Sequence, residues 1–462
     1  MSQRMIKFMS ISIVMVIGYF LAACGASPTA APAEPVQEEA ATTEEPAAEA
    51  DPAEAVSEEE VTLTFVFWEW GPDARLEWEG ISEGFTKENP HIKVELLAVQ
   101  GPNWGSYLEG VATLIAGGEH PDIMLVATEG VQFLVQQDLI LPLDDFIAQD
   151  QAEVDDFKDD IAPVMYNAFN VDGKQYMFPY AWNNMVIYYN TDRLAEAGLE
   201  PPSADWTRDE FLEMAKALTV DEDGDGTPEK YGYAWSNGEL FPSAMPWIFA
   251  NNSNILTDDY CSVQVTDPDV IEALQFMHDL LYVHKVAPEP IGFGDLFNLF
   301  QTGDVAMFGA GRWPLTTLVP AGFEAFNIQY WPGNPQRKTE FGIAGFPILQ
   351  VSEHPEAAWK LVKHLTRVDV QEKMIGTEDS LPSNIPARRS VAAQMENFPP
   401  ENAEVFYSAL DDNAELVPAP VRFNEMESIF LRYTSLIFAD EMGVEEAMAA
   451  AQAELESVVS CN

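Results

Sequence analysis

The chain has 462 residues and carries 76 acidic against 23 basic side chains, a formal net charge of −53. The length suits two domains, and 47% of the residues are apolar, enough for sizeable cores. The charge argues against nucleic-acid binding, which relies on Lys and Arg at the phosphates. The acidity instead indicates a soluble, self-repelling surface.

Residues 1–23 have the pattern of a secretory signal. Arg4 and Lys7 form a basic start, an apolar run extends from Phe8 to Phe20, and Leu-Ala-Ala precedes Cys24. The run is short for a membrane span but typical of a signal peptide. "LAAC" resembles the lipobox of bacterial lipoproteins, which predicts a lipid anchor on Cys24 and a location outside the cytoplasm. Ordinary cleavage near an Ala is the alternative.

Residues 24–60 differ sharply in composition from the rest. They are dominated by Ala, Pro, Thr and Glu, with no Lys, Arg or aromatic residue. Such a segment cannot bury enough apolar surface to offset its ordering entropy. It is predicted to be a disordered tether, extended by charge repulsion and proline.

Regular structure is predicted to begin at Val61. "VTLTFVF" and "IKVELL" alternate apolar and polar residues as strands do, and "PDIMLVA" is predicted to be a buried strand. Helices are predicted around Ile81 and Phe85 and over Leu108–Ala116. Strands that alternate with helices predict an α/β sheet with parallel pairing.

The alternation continues through the second half of the chain. "MVIYYN" is predicted to be a strand, and Thr207 and Glu210 have the spacing of a capping box ahead of a helix. Pro355 suits the first turn of another helix. Residues 444–459 are predicted to form the closing helix.

The stretch "DEDGDGTPEKYG", residues 221–232, resembles a calcium-binding loop. Its acidic residues and a Gly occupy the positions of the first ligands and the sharp turn, but the twelfth position is Gly232 in place of a bidentate Glu. One interpretation is a polar turn without a metal, so that no cofactor is required. The other is a structural Ca²⁺ site with the ligands Asp221, Asp223, Asp225, the Thr227 carbonyl and, through water, Glu229.

Four phrases, in this order, resemble the carbohydrate-type extracellular solute-binding proteins of ABC importers, the family that includes maltose-binding protein. They are "LIAGGEHPDIMLV", "VDGKQYMFPYAWNNMVIYYNTDRLAEAGLEPP", "FQTGDVAMFGAGRW" and "EFGIAGFPIL" followed by "HPEAAWKLVKHL". The resemblance covers nearly all of residues 61–462. It implies an α/β, two-lobed periplasmic-binding-protein-like fold that closes on a ligand.

The resemblance also implies where the lobes lie. Lobe 1 is expected to comprise 61–181 and about 346–400, and lobe 2 to comprise 182–345 and about 401–462. Chain crossings are expected near 181–185, near 341–346 and within 390–415. On this mapping Cys261 and Cys461 share lobe 2, which supports a disulfide between them; two unrelated thiols are the alternative.

A sugar site needs flat apolar walls and a few placed polar groups. Two positions are marked by the resemblance, Trp182 in the first crossing and Trp313 in the "GAGRW" phrase, where the family commonly carries a stacking ring. The segment 68–70 follows the first strand, where α/β sheets place ligands. The candidate ligand contacts are Trp68, Glu69, Trp70, Trp104, Glu129, Trp182, Asn183, Trp235, Trp247, Arg312 and Trp313.

Each candidate has a simpler explanation. A Trp is more commonly a core residue, a Glu in so acidic a chain is commonly a solvated surface charge, and Arg312 would suit an inter-lobe salt bridge. Burial and contacts in the folded protein distinguish these roles from ligand contact.

The resemblance implies a non-catalytic, monomeric receptor that delivers a mono- or oligosaccharide to a separate ABC permease and ATPase. A glycan-degrading enzyme is the main rival, since paired carboxylates and aromatic rings also describe a glycosidase. The sequence has no H-E-x-x-H motif, and its one G-x-S-x-G match, at residues 80–84, lies in the helix predicted around Ile81 and Phe85 rather than at a strand-to-helix turn. A receptor for a non-sugar solute such as a glycerol phosphate, or a scaffold lipoprotein, would also fit the tether and the acidic surface.

Overall fold

The computed structural model describes residues 59–69, 72–101, 103–334, 337–376, 381–411 and 414–460. The expected signal peptide, the tether up to residue 58, Cys24, Trp70 and Cys461 lie outside the described residues. No helix within the described ranges is long and apolar enough to cross a membrane.

The first part of the chain alternates strands and helices up to Asn184. Its strands are β1 (Val61–Trp68), β2 (Ile92–Val99), β3 (Ile123–Met124), β4 (Val126–Ala127), β5 (Asn170–Val171), β6 (Lys174–Gln175) and β7 (Phe178–Asn184). Its helices are α1 (Pro72–Glu88), α2 (Trp104–Ala116), α3 (Thr128–Gln136), α4 (Asp144–Gln149), α5 (Gln151–Asp159) and α6 (Pro163–Asn167).

The first sheet has the order β2-β1-β3 and is parallel. The predicted pairing is confirmed here, because α1 and α2 provide the crossovers that parallel neighbours require. Phe65 of β1 packs edge-on against Trp78 of α1, with ring centroids 5.0 Å apart, and at 5.7 Å against Phe346. The apolar face of the first strand therefore forms one centre of the core.

The middle of the chain builds a second sheet. Its strands are β8 (Val186–Asn190), β9 (Met307–Ala310) and β10 (Phe326–Tyr330). Its helices are α7 (Thr191–Ala197), α8 (Arg208–Leu218), α9 (Met245–Ala250), α10 (Pro268–Tyr282), α11 (Phe293–Thr302) and α12 (Leu315–Leu318). The order β10-β8-β9 is antiparallel throughout, so the expectation of parallel pairing is wrong for this sheet.

The last part of the chain adds strands that pair with strands of the first part. Its strands are β11 (Thr339–Phe346), β12 (Ile385–Pro386) and β13 (Ala414–Leu416). Its helices are α13 (Pro355–Leu365), α14 (Val368–Gln371), α15 (Arg389–Ala392), α16 (Glu404–Ser408), α17 (Phe423–Phe438) and α18 (Val444–Leu455). The closing helix ends four residues before the predicted end, at Leu455, and the chain continues as a turn.

A third sheet joins the parts of the chain, and we call it the crossing sheet. Its order is β12-β7-β11-β13, with β4 beside β11. β7 runs into β8 of the second sheet through the single residue Met185. The strands β7, β11 and β13 lie within or at the end of the three expected crossings, and the lobe boundaries drawn from those crossings stay a prediction.

Two local predictions about helix starts are confirmed. Thr207 accepts from the Glu210 backbone nitrogen while the Glu210 side chain accepts from Thr207, a complete capping box. Pro355 occupies the first turn of α13. Both signals are read correctly because they depend only on neighbouring residues.

A second core lies among α8, α9, α10, α17 and α18 and is rich in aromatic rings. Trp247 packs against Phe211 with ring centroids 4.9 Å apart and against Trp331 at 5.0 Å.

Cys261 is disulfide-bonded, and its partner lies outside the described residues. The Gln452 side chain of α18 donates to the Val263 carbonyl at 3.0 Å, so the last helix lies against the Cys261 segment. This proximity supports pairing with Cys461, which stays a prediction.

Candidate ligand-binding cleft

The floor of the candidate site is one face of the crossing sheet. Asn183 of β7 lies opposite Gly342 of β11. Because neighbouring strand residues point to opposite faces, Trp182 faces away from the side that carries Asn183. A Cβ at Gly342 would lie 3.5 Å from the Phe241 ring, so this ring lies over the Asn183 face.

Asn183 is a buried amide that connects three segments. Its side-chain oxygen accepts from the Arg312 backbone nitrogen at 2.9 Å. Its amide nitrogen donates to the Asn384 side chain at 2.7 Å and to the Ser383 carbonyl at 3.1 Å. Asn183 therefore positions the loop that carries Trp313.

An aromatic wall stands beside this floor. Trp313 is half-buried, with its ring centroid 6.1 Å from Phe241 and 6.2 Å from Phe293, which are also half-buried. A Cβ at Gly311 would overlap the Trp313 ring, so the glycine permits the ring to lie against the backbone. The partly exposed ring faces are suited to the C–H surfaces of a sugar.

A second aromatic pair lies at the carboxyl ends of β1 and β2. The half-buried rings of Trp68 and Trp104 are 4.8 Å apart, and the Trp68 indole donates to the Gly101 carbonyl at 3.0 Å. Glu69 accepts from Gln100 at 3.0 Å and from Arg75 at 3.2 Å. These two partners hold the pKa of Glu69 below its usual value, so it is an ionised hydrogen-bond acceptor.

The two aromatic pairs belong to parts of the molecule that touch. Asn424, in the first turn of α17, donates to the Gly105 carbonyl in the first turn of α2 at 3.2 Å. A Cβ at Gly105 would lie only 2.7 Å from the Asn424 side-chain oxygen. Glycine at position 105 therefore leaves room for the Asn424 side chain to contact the backbone of α2.

Glu129 is the second residue of α3 and is only 7% exposed. Burial, together with the nearby carboxylates of Glu427 and Glu239, raises its pKa to about 8. One of its oxygens, Oε2, has no hydrogen-bond partner among the described residues. The simpler explanation of a solvated surface charge therefore does not apply to Glu129.

Arg312 is fully buried, with its guanidinium 5.7 Å from the Phe406 ring centroid and one nitrogen donating to the Tyr407 hydroxyl at 3.2 Å. Burial lowers its pKa. No described carboxylate pairs with it, so the inter-lobe salt bridge is not observed in the described part of the chain. Direct ligand contact by Arg312 stays a prediction and would require the surrounding side chains to move.

Three predicted site tryptophans lie elsewhere. Trp182 lines a cavity of about 220 Å³ with Met165 and Tyr407, and its side chain is on the face of β7 opposite to Asn183. Trp235 and Trp247 are 1% and 2% exposed in the second core. Both rings are packed on all sides in this structure, so ligand contact by Trp235 and Trp247 stays a prediction that their burial does not support.

Several residues of the cleft were missed from sequence. They are Phe241, Phe293, Glu239, Glu340, Asn424 and Glu427. Phe241 stands in a loop without periodicity, and the three glutamates are indistinguishable among 76 acidic residues. Their positions depend on contacts distant in sequence, which leave no local signal.

The acidic loop after α8 gathers its carboxylates as the motif suggested. Ligand oxygens of Asp221, Asp223 and Asp225 all lie within 4.8 Å of one another on the surface. The Asp221 carboxylate accepts from the Gly224 and Gly226 backbone nitrogens at 2.7 and 2.9 Å. Three converging carboxylates fit a hard divalent cation.

Two other hydrogen bonds already use acceptor groups of this loop. Glu229 accepts from the Glu222 backbone nitrogen at 2.7 Å, and Lys285 donates to the Gly226 carbonyl at 3.1 Å. Calcium binding, including the roles of Thr227 and Glu229, stays a prediction.

Comparison with known proteins gives consistent matches. A family model described as "Bacterial extracellular solute-binding protein" matches residues 72–372. A putative binding protein of Brucella abortus is 26% identical over 372 residues, covering 77% of this chain and 84% of the relative. A maltotriose-binding protein of Pyrococcus abyssi is 25% identical over 285 residues, covering 59% of this chain and 56% of the relative.

Solved structures agree on the architecture. An ABC substrate-binding protein from Listeria monocytogenes in complex with cycloalternan superposes with a TM-score of 0.74 at 24% identity, covering 87% of this chain and 99% of that one. A maltose-bound protein from T. maritima gives 0.70 at 22% identity, covering 86% and 100%. At these identities the likeness establishes the two-lobed fold.

Proposed function

Because the chain belongs to the bacterial extracellular solute-binding protein family, we propose that it captures a sugar by lobe closure and delivers it to an ABC permease. The observation that carries the proposal is the presence of two half-buried aromatic walls, Trp68–Trp104 and Phe241–Trp313, in segments joined by the Gly105–Asn424 and Leu240–Glu427 contacts. Flat walls with few fixed polar groups are the usual design of a sugar site.

Relatives support the ligand class. One is named as a maltotriose-binding protein and another, from Halalkalibacterium halodurans, as an arabinooligosaccharide-binding protein at 22% identity. Two ring pairs offer stacking surface for more than one sugar unit. We therefore propose an oligosaccharide as the preferred ligand, with a monosaccharide as the smaller alternative.

The mechanism is binding without chemistry. Closure bends the chain at the crossing sheet, where β7 leads into β8 through Met185. The ionised Glu69 supplies a fixed carboxylate for hydroxyl groups, and Asn183 holds the loop that carries Trp313. The closed form would dock on a permease whose separate ATPase drives transport, and the chain would act as a monomer.

We also propose that the chain acts at the outer face of the membrane, held there by lipid on Cys24. The lipobox-like "LAAC" and the acidic segment behind it support this anchor. One acyl chain anchors weakly, so stable retention requires more than one. A Cys24→Ser chain should appear in the soluble fraction; its retention in membranes would contradict the anchor.

A thermal-shift screen of mono- and oligosaccharides, including maltotriose and an arabinooligosaccharide, tests the function. A ligand at 100 times its Kd should raise the free energy of unfolding by about 2.7 kcal/mol. Chromatography of the recovered sugar should show it unchanged. Hydrolysis would support a glycan-degrading enzyme, and a shift with glycerol phosphate alone would support a non-sugar receptor.

A further inference from the structure

Four glutamates from different parts of the molecule converge beside the cleft. Glu129 is the second residue of α3, Glu340 lies in β11 of the crossing sheet, and Glu427 lies in α17, which packs against α3. Glu239 precedes Leu240, whose backbone nitrogen donates to Glu427 at 2.8 Å. We call these four residues the carboxylate cluster.

The carboxylate cluster is poorly solvated. Glu340 is fully buried, Glu129 is 7% exposed and Glu427 is 9% exposed. Neither oxygen of Glu340 has a hydrogen-bond partner in the described part of the chain, and Oε2 of Glu129 has none either. A buried, ionised carboxylate without a partner is strongly unfavourable, so this arrangement requires the carboxyls to be neutral.

The Lys and Arg side chains on neighbouring elements form ion pairs with carboxylates outside the cluster. Lys338, ahead of β11, pairs with Glu415 of β13 at 2.8 Å. Arg422 and Arg432 pair with Glu425 and Glu454. The elements α2, α3, α9, β4 and β7 also lie near the cluster. Apart from Glu129, their described residues include one charged group, Glu109, which accepts from Asn424 of α17 at 3.5 Å. No described cation therefore neutralises the cluster.

The raised pKa values of the four carboxyls agree with their burial and their closeness to one another. Burial and the neighbouring Glu427 raise the pKa of Glu239 to about 7, while that of Glu129 is raised to about 8. Burial, with Glu129 nearby, raises the pKa of Glu340 well above its ordinary value. The pKa of Glu427 is also raised by burial.

We propose that the carboxylate cluster is a proton-operated latch, in which the lobes close with these side chains neutral, so that ligand capture takes up protons and weakens as the pH rises. The ligand-coupled part rests on the proposed function. The latch itself requires only that opening separates Glu129 of the expected lobe 1 from Glu239, Glu340 and Glu427 of the expected lobe 2, and returns these carboxyls to water.

The direction of the pH effect follows from linkage. A carboxyl with a higher pKa in the closed form binds a proton on closing. Its support for closure is complete below the ordinary value of 4.5 and is lost as the pH rises through about 7 for Glu239 and about 8 for Glu129. Within that pH window, the Kd rises about ten-fold per pH unit for each proton that is taken up on closure.

The first experiment needs no ligand. Spin labels at the exposed positions 83 on α1 and 445 on α18, in a full-length chain with Cys24→Ser, report the distance between the lobes. We expect the closed distance to dominate at pH 5.5 and a longer distance at pH 8.5. The double variant Glu239→Gln/Glu340→Gln should show a smaller change in distance between the two pH values, since only Glu129 and Glu427 still titrate, while the exposed control Glu119→Gln should behave as the parent.

Two outcomes would overturn the latch: a distance in the parent chain that does not change with pH, or a double variant that follows the parent. If the double variant does not fold, Glu239→Gln alone, at a half-buried side chain, should reduce the pH dependence. Retention of the full dependence in that variant counts equally against the proposal.

The second experiment couples the latch to binding. Calorimetric titration with maltotriose in two buffers of different protonation enthalpy, at pH 6.5, counts the protons taken up. We expect at least one proton per ligand in the parent and fewer in the double variant. Binding without proton uptake overturns the latch and leaves the receptor function standing. Absence of maltotriose binding counts against the ligand class, and the distance measurement then decides on the latch.

Discussion

The side-chain oxygen of Asn183 accepts a hydrogen bond from the backbone nitrogen of Arg312 at 2.9 Å. This bond ties a strand of the crossing sheet to the loop that presents Trp313. The same amide donates to Asn384 at 2.7 Å, so both ends of the side chain are used. A single buried residue of the crossing sheet thus fixes part of the aromatic wall.

Asn183→Ala should weaken sugar binding and destabilise the fold. The change removes the partners of the Arg312 backbone nitrogen and of the Asn384 side-chain oxygen, at about 1–3 kcal/mol for each buried group. Calorimetry should show a Kd raised about ten-fold, and urea unfolding a lower free energy of unfolding. Asn167→Ala, at an exposed position of α6, is the matched control. Unchanged affinity in Asn183→Ala would show that this bond does not position the wall.

Trp313 and Trp247 should respond differently to truncation, because one ring is half-buried and the other is 2% exposed. Trp313→Ala should cost about 2 kcal/mol of binding, near a thirty-fold rise in Kd, with little change in unfolding. Trp247→Ala should lower the free energy of unfolding by about 3–5 kcal/mol through the cavity it leaves.

Each of these two variants serves as the control for the other. If Trp247→Ala abolishes binding while the protein stays as stable as the parent, the assignment of Trp247 to the core is contradicted. The measurements are urea unfolding and calorimetric titration on the same preparations.

Local features of this fold were predictable from sequence. β1 and β2 follow from alternation, and the Thr207–Glu210 capping box and Pro355 follow from spacing within one turn of helix. The position of Glu69 directly after β1 was also predictable, and its role in ligand binding stays a prediction based on the gathering of ligands at carboxyl strand ends.

Long-range features were not predictable from this one sequence. The antiparallel second sheet depends on which distant strands pair, and β8 carries the same apolar pattern in either arrangement. Trp247 and Trp313 are chemically identical, and only packing separates them. Glu340 lies in a buried strand opposite Glu415, and its carboxyl has no hydrogen-bond partner among the described residues. The residues next to it in sequence give no sign of this.

Gly105→Ala should favour the open form. Its Cβ would lie 2.7 Å from the Asn424 side-chain oxygen, so the Asn424 side chain must shift and lose its bond to the Gly105 carbonyl, or α17 and α2 must separate. We expect a longer distance between the spin labels and weaker sugar binding. Gly80→Ala, in α1 where no atom lies within 4 Å of the added Cβ, should preserve binding. Restoration of affinity in Gly105→Ala/Asn424→Ala would confirm the clash, and its absence would place the defect elsewhere.

Cys261→Ser should destabilise the second core. Loss of a native disulfide typically costs about 2–5 kcal/mol, and Cys261 is bonded in this structure. Cys461→Ser should give the same loss, and the double variant should lose no more than either single one. Mass spectrometry after alkylation, with and without reduction, checks the pairing. A labelled thiol at Cys261 in the unreduced parent chain would contradict it.

Calcium should stabilise the chain through the loop after α8 without changing sugar preference. The carboxylates of Asp221, Asp223 and Asp225 converge on the surface, and an added Ca²⁺ would relieve their repulsion. Thermal unfolding in calcium chloride should therefore show a higher melting temperature than in a chelator. Asp223→Asn should remove the difference, whereas Asp258→Asn, at another exposed position, should retain it. Equal melting temperatures for the parent chain in calcium and in chelator would leave the loop as a polar turn, held by its own backbone donors and by Lys285.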